Sequence, residues 1–145
     1  MNKKLLLLFL SIILFSCSKK KEKIISEKSA TDSLSYYMKL ANSKGISDKE
    51  KLIIIDKAFK LVPTLKNTSK KRDTLFSITY RYYINKEWKK FNIASNLLLR
   101  ESIETKDSTN IVKVYRFKAN YLKKTEVFDS SFIYYLKAEK IYFKQ

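Results

Sequence analysis

The 145-residue chain contains no histidine, one cysteine, one proline and one glycine. Without histidine it can form no Ser-His-Asp triad, no Cys-His dyad and no imidazole metal site. One cysteine can form neither an internal disulfide nor a thiolate cage. Phosphate-binding glycine loops need at least two glycines, and β-sandwiches or barrels with many tight turns need more glycine and proline. These absences favour a helix-rich binding or scaffolding protein, and we expect no cofactor and no metal ion.

The acidic residues do not form an obvious catalytic pair. Glu101, Glu104 and Asp107 lie among lysines at expected helix ends and turns, where a solvated or capping role is the usual one. We therefore expect the protein not to be an enzyme and to have no small-molecule substrate.

The chain is strongly basic, with 31 Lys and Arg against 14 Asp and Glu and a formal charge of +17. Nearly all of these basic residues are lysines spread along every segment, whereas base reading and bidentate phosphate contacts favour arginine. We expect no nucleic-acid partner. The charge favours attraction to anionic lipid or to acidic partners, which salt should weaken.

The first sixteen residues have the pattern of a secretory signal. Two lysines precede residues 5–16, a run that is apolar apart from two serines and too short for the roughly 20 residues of a membrane span. The alternative is a soluble protein with a buried N-terminal helix and a structural cysteine. The run ends in Leu14-Phe15-Ser16-Cys17, which resembles the bacterial lipobox.

That resemblance implies a signal peptide at 1–16 and a diacylated Cys17, carrying fatty acids such as palmitate, that becomes the mature N-terminus. The chain would be a lipoprotein of the cell envelope, held in the lipid bilayer. Some surface-exported lipoproteins carry acidic residues after the cysteine, whereas this chain carries lysines, which favours the periplasm. We interpret residues 17–31, the lipidated cysteine and the polar segment after it, as a flexible basic tether.

The remainder, 32–145, is predicted to be all-α. Polar breaks at 42–47, 63–69, 85–87, 105–109 and 124–126 separate six segments of helical length. Ser47 and Glu50 have the spacing of a capping box, and Gly45 lies where a preceding helix should stop. Further N-caps are predicted at Asp32, Asp73 and Ser108.

The segments repeat with a period of forty, in frames 32–71, 72–111 and 112–145. The third frame resembles the tetratricopeptide repeat (TPR) most closely, at Tyr115, Ala119, Leu122, Phe128, Tyr135 and Ala138. The second agrees at Leu75, Ile78, Tyr82, Trp88 and Leu98, and the first at Ile55, Ala58 and Pro63. Lys118 and bulky Phe91 depart from the pattern. The resemblance implies a right-handed superhelical array of about three helical hairpins; an ordinary antiparallel helical bundle is the alternative.

In tetratricopeptide arrays the first helices of successive hairpins line a groove, and mapping by the frames gives its candidate residues. They are Tyr36, Leu40, Phe76, Tyr80, Tyr83, Arg116, Asn120 and Lys123. An aromatic floor with a basic, amide-bearing end suits a peptide or helix with acidic groups. The alternative is that these aromatic residues belong to the core or to a covered surface.

The last helix, which contains Phe132 and Tyr142, lacks the extra helix that usually covers such an array. Its face would then contact a partner or a second copy in a homo-oligomer, or the chain would be part of a longer protein. We therefore expect a membrane-anchored adaptor that binds a protein or peptide. The alternative is the sensory portion of a truncated or split signal-transduction regulator of the histidine-kinase or helix-turn-helix type.

Overall fold

The computed structural model of the protein describes residues 27–143. The leader at 1–16, Cys17 and the tether as far as residue 26 lie outside these residues. No strand occurs between residues 27 and 143, so the predicted all-α class is confirmed there. The helices are α1 Glu27–Ala41, α2 Asp48–Leu61, α3 Ser69–Ile84, α4 Trp88–Glu104, α5 Ser108–Lys124 and α6 Phe128–Tyr142, with a 3-10 helix at Val62–Thr64.

Each helix packs most extensively against its neighbour in one of three pairs, α1 with α2, α3 with α4, and α5 with α6. The pairs also contact each other, through α2 with α3 and through α4 with α5. In addition, α3 contacts α5, although a whole helix separates them along the chain. The first helices of the second and third hairpins therefore lie side by side.

Helix α1 begins earlier than the sequence predicted. It starts at Glu27, so the last five residues of the predicted tether are helical. Asp32 lies inside the helix and is not its N-cap. The physical reason is that Ala30 and Leu34, four residues apart, share one side of the helix and are both buried. The apolar pattern that makes this helix stable thus begins before the polar segment ends.

The capping box before α2 is present as predicted. The Glu50 backbone N–H donates to Ser47 Oγ at 3.3 Å, and the Ser47 backbone N–H donates to Glu50 Oε2 at 3.0 Å. These hydrogen bonds lower the pKa of Glu50, with the side-chain bond from Ser47 as the main cause. Gly45 has a φ of 83°, a left-handed conformation that glycine adopts readily, in the loop between α1 and α2.

Two other predicted caps are displaced. Asp73 lies within α3, because Thr68 is the N-cap and accepts a hydrogen bond from the backbone N–H of Lys71. Ser108 is the first residue of α5, and Asp107 caps the helix by accepting from the backbone N–H of Asn110 at 3.0 Å.

The last three loops share one geometry. Each has three residues, and the middle residue has a positive φ: Lys86 at 58°, Lys106 at 54° and Glu126 at 62°. The N–H of the following residue donates to the carbonyl five positions earlier, for example from Glu87 to Tyr82 at 2.9 Å. This hydrogen-bond pattern is that of a Schellman motif, in which a left-handed residue ends the helix.

The forty-residue period is visible in the second helix of each hairpin. Helices α2, α4 and α6 begin at Asp48, Trp88 and Phe128, forty residues apart. Equivalent places are also buried together, as with Ala58, Leu98 and Ala138. Small or aliphatic side chains at this place let the two helices of a hairpin pack closely.

Candidate functional site

The aromatic candidates on α3 meet around Phe117 of α5. The ring centroid of Phe117 lies 5.3 Å from that of Phe76, 5.9 Å from that of Tyr80 and 5.3 Å from that of Tyr83. We call these four residues the aromatic face. Tyr80 is 46% exposed, and the other three are partly buried. The face follows from the contact between α3 and α5, which brings three of the aromatic residues of α3 beside the ring of Phe117.

One end of the aromatic face continues into the core. The ring of Tyr83 contacts Phe91 and Trp88, with centroids 5.6 and 5.9 Å apart. Tyr121 in turn packs on both, at 5.5 Å from Phe91 and 5.2 Å from Trp88. Aromatic pairs at such distances contribute about 0.5–1.5 kcal/mol beyond the burial of their area. Core packing thus fixes the inner end of the face, while Tyr80 keeps its ring accessible.

Two lysines of α5 lie against the aromatic face. The ammonium nitrogen of Lys113 is 4.9 Å from the ring centroid of Phe76, and that of Lys124 is 4.6 Å from the centroid of Tyr83. Cation–π contacts of this kind are worth about 0.5–1 kcal/mol at exposed sites. They place a positive charge at each end of the face.

A cavity of about 280 Å³ opens between α1 and α3, beside the aromatic face. Its walls are formed by Met38, Asn42, Phe76, Ser77, Tyr80, Arg81 and Ile84. The apolar side chains can accommodate an apolar group. The guanidinium of Arg81 donates a hydrogen bond to Asn42 Oδ1, so a third cation lies at the polar side of the cavity. None of these wall residues carries a negative charge.

The candidates on α1 do not join this arrangement. Tyr36 is 62% exposed, and its ring packs edge-on against Tyr37, with centroids 5.6 Å apart. The cavity is lined instead by Met38 of α1 and by Asn42, which directly follows that helix. Leu40 is partly buried and is not among the wall residues.

The candidates on α5 face another helix. Asn120 Oδ1 accepts a hydrogen bond from the hydroxyl of Tyr135 on α6, and Arg116 lines a cavity between α5 and α6. Lys123 is exposed, and its carbonyl accepts the N–H of Glu126 in the loop that follows. The predicted basic end therefore does not lie on the aromatic face.

The predicted groove residues did not include Lys113, Phe117 and Lys124. A shift of forty residues makes Phe76 and Tyr80 of α3 equivalent to Arg116 and Asn120 of α5. The residue of α5 that contacts their rings is Phe117, one position after Arg116. One residue corresponds to about 100° of rotation on a helix. The available signal was the spacing of Lys113, Phe117 and Lys124, four and seven residues apart, which places them on one side of α5.

Two largely buried ion pairs lie at the beginning of α3. Lys71 Nζ lies 2.7 Å from Glu101 Oε1, and both side chains are less than a tenth exposed. Arg72 Nε lies 2.7 Å from Asp107 Oδ2 in the loop before α5. The expectation of a solvated Glu101 is therefore wrong, since tertiary contact with α3 buries it. Together the two pairs join the beginning of α3 to α4 and α5.

The surroundings of Asp107 and Lys118 shift the pKa values of both side chains. Burial alone would raise the pKa of Asp107, but hydrogen bonds from Asn110 and Arg72, with the guanidinium charge, lower it below the usual value. Burial lowers the pKa of Lys118, whose Nζ donates to Asn96 Oδ1 at 2.6 Å. Lys118 occupies the place of buried Ile78 in the preceding hairpin, which explains why it is buried.

Residues 27–143 contain neither a membrane-spanning helix nor a group of metal-binding side chains. Between residues 27 and 143, no helix is both long and apolar enough to cross a bilayer. Over the same range, no three cysteine, aspartate or glutamate side chains are grouped as a metal site would require.

Comparison of the chain with models of protein families, with curated proteins and with solved structures gave no match.

Proposed function

We propose that the protein is a peptide-binding adaptor and that the aromatic face between α3 and α5 is its binding site. The observation that carries the proposal is the combination of exposed Tyr80, an adjoining apolar cavity and positive charges from Lys113, Lys124 and Arg81. Tyrosine and arginine are the residue types that most often contribute binding energy at protein interfaces.

The chemistry of the surface favours an acidic, amphipathic peptide as the ligand. An apolar side chain of the peptide would enter the cavity beside Phe76 and Tyr80. Carboxylates on either side of it would then approach the ammonium groups of Lys113 and Lys124. Such charge complementarity mainly raises the association rate and the specificity, and salt screens it.

We further propose that acylation of Cys17 holds this adaptor at a membrane of the cell envelope, facing the periplasm. The support is the order of basic residues, apolar run and cysteine in the sequence. Two acyl chains, or one chain with a basic patch, anchor a protein stably. The lysines at positions 19, 20, 21 and 23 provide such a patch next to the cysteine.

Peptide selection tests the binding site. We expect a display library of random peptides of about ten residues, sorted on the immobilised chain, to yield peptides with an apolar residue flanked by Asp or Glu. Tyr80→Ala should weaken their binding about tenfold, because the exposed ring loses its contact with the peptide. Lys113→Glu should also weaken binding, and added salt should reduce the affinity of the wild type. Fluorescence anisotropy measures each affinity.

Two variants serve as matched controls. Tyr36→Ala removes an equally large exposed ring that does not line the cavity, and Lys57→Glu makes the same charge change on α2. Both should bind the selected peptides as the wild type does. The binding site would be refuted if the controls weakened binding as much as Tyr80→Ala and Lys113→Glu, or if the selected peptides were basic.

Metabolic labelling tests the anchor separately. Cells that produce the full chain should incorporate radioactive palmitate into the wild type, and Cys17→Ser should abolish the label because the acylated thiol is gone. A Lys23→Ser variant, which keeps the cysteine, should be labelled normally. Equal labelling of the wild type and Cys17→Ser would contradict lipidation and leave the peptide-binding site untouched.

A further inference from the structure

Helix α6 carries an uncovered apolar stripe. Its buried side, which includes Ser131 and Ala138, packs against α5. Next to this buried side, α6 exposes large side chains at intervals of about one or two turns, so that they form a continuous row. Tyr135 lies at the border of the row, and its hydroxyl donates to Asn120 of α5. The row, called here the α6 stripe, consists of Phe128, Phe132, Tyr135, Leu136, Tyr142 and Phe143, which are 37–75% exposed.

The internal repeat indicates what kind of element covers such a face. Ile55 of the first hairpin and Ser95 of the second are fully buried, whereas Tyr135, at the equivalent place of the third, is 37% exposed. The position seven residues later is also buried in the first two hairpins, where Val62 and Ser102 are fully buried. In the first two hairpins the second helix also contacts the first helix of the following hairpin, α3 or α5.

Tyr142 of the third hairpin is equivalent to Val62 and Ser102, and it is 67% exposed. A cavity of about 360 Å³ adjoins it between α5 and α6, with Arg116 and Ala138 among its walls. Within residues 27–143 no following helix packs on α6, and these positions of the third hairpin are exposed. The dimensions of the cavity suit an aromatic side chain presented by another helix.

We propose that the α6 stripe is the interface of a homodimer, in which α6 of one copy packs against α6 of a second copy. Of the fourteen large apolar residues that are exposed between residues 27 and 143, six belong to the α6 stripe. The α6 stripe is thus the main apolar surface of the described chain, and its best apolar complement on an identical chain is itself. An isologous pair closes and leaves no free interface.

Area and charge both support a second copy as the occupant. With about 150–250 Å² for a fully exposed aromatic side chain, the exposed parts of the α6 stripe amount to roughly 700 Å². A standard interface buries about 800 Å² on each partner. Helix α6 contains two acidic residues and two lysines, so its net charge is zero in a chain of +17. An anionic membrane or an acidic partner would be better served by a basic face.

Photo-crosslinking identifies the occupant. A photoreactive phenylalanine analogue replaces Phe132 in the full chain, produced in cells, and the matched control carries it at Ile93, which is 53% exposed on α4. We expect the analogue at position 132 to give a product of twice the mass of the uncrosslinked chain from the same cells, composed of two copies by mass spectrometry. The control should give little of it. A product with a different protein or with lipid, or no product, would overturn the proposal.

A charge placed in the stripe gives an independent measurement. Phe132→Glu should weaken dimerisation of the purified full chain at least tenfold in sedimentation equilibrium, whereas Ile93→Glu should leave it unchanged. Circular dichroism verifies that both variants are folded. Because two chains of +17 repel each other, raising salt from about 0.05 to about 0.5 M should tighten the dimer. A wild-type chain that stays monomeric, or a dimer that salt weakens, would contradict the interface.

Discussion

Replacing Glu101 by alanine should lower the free energy of unfolding by about 3–5 kcal/mol, because it leaves a buried ammonium group without its counter-ion. Lys71 Nζ is 2.7 Å from the Glu101 carboxylate and 2.8 Å from the carbonyl of Leu65. In the variant, only the uncharged carbonyl of these two partners remains. Urea denaturation of the full chain, followed by circular dichroism, measures the loss.

Glu104→Ala is the matched control for this prediction. Glu104 lies one turn later on α4, is exposed, and receives only a weak hydrogen bond from Asn67 at 3.4 Å. Its replacement should change the free energy of unfolding by less than about 0.5 kcal/mol. If Glu101→Ala and Glu104→Ala were equally mild, the ion pair of Lys71 would not be the buried contact that joins α3 to α4.

Replacing Phe91 by alanine should destabilise the fold by a similar amount, about 3–5 kcal/mol. Its ring is fully buried between Tyr83 of α3 and Tyr121 of α5. Truncation removes the contacts of the Phe91 ring with Tyr83 and Tyr121 and leaves a cavity between the three helices. The same denaturation experiment measures the effect, and a parallel loss of peptide affinity is expected because Tyr83 loses its support.

Phe132→Ala makes the same chemical change at a ring that is 63% exposed. In dilute protein, where the chain is monomeric, it should alter stability by less than about 0.5 kcal/mol. Comparable losses for the two phenylalanines would mean that Phe132 is buried in the folded monomer. That result would contradict the description of α6 as half uncovered.

The helices were predictable because their signals are local. All five polar breaks coincide with loops or with the connection through the 3-10 helix, and the Ser47–Glu50 capping box forms as expected. The start of α1 was misplaced because its first two turns are polar except for buried Ala30. Because Ala30 is the one apolar residue in these turns, their composition is the same as that of a flexible tether.

The candidate site was only partly predictable because it depends on contacts between distant residues. Phe76, Tyr80 and Tyr83 share one helix, so their proximity follows from spacing alone. Their contact with Phe117 depends on the rotation of α5 about its axis, which a repeat alignment gives only to about one residue. An error of one residue selects Arg116 instead of Phe117, and Arg116 lines the cavity between α5 and α6.

Buried charges and left-handed loops were also beyond the sequence. Lys71 and Glu101 are thirty residues apart, and nothing in their local surroundings distinguishes them from solvated charges. At the turns, Lys86, Lys106 and Glu126 adopt the positive φ that usually indicates glycine. The sequence indicates where these turns lie, through a short polar break about every twenty residues, but it does not indicate their left-handed conformation.

The central claim, that the face between α3 and α5 receives an acidic peptide, is tested most directly by locating a bound peptide. The photoreactive analogue is placed at Tyr80 in one full chain and at Phe132 in another, and each is irradiated with a labelled acidic peptide from the selection. We expect the label to attach at position 80, to decrease with salt, and not to attach at position 132. Equal attachment at both positions, or attachment at 132 alone, would contradict the proposed binding site.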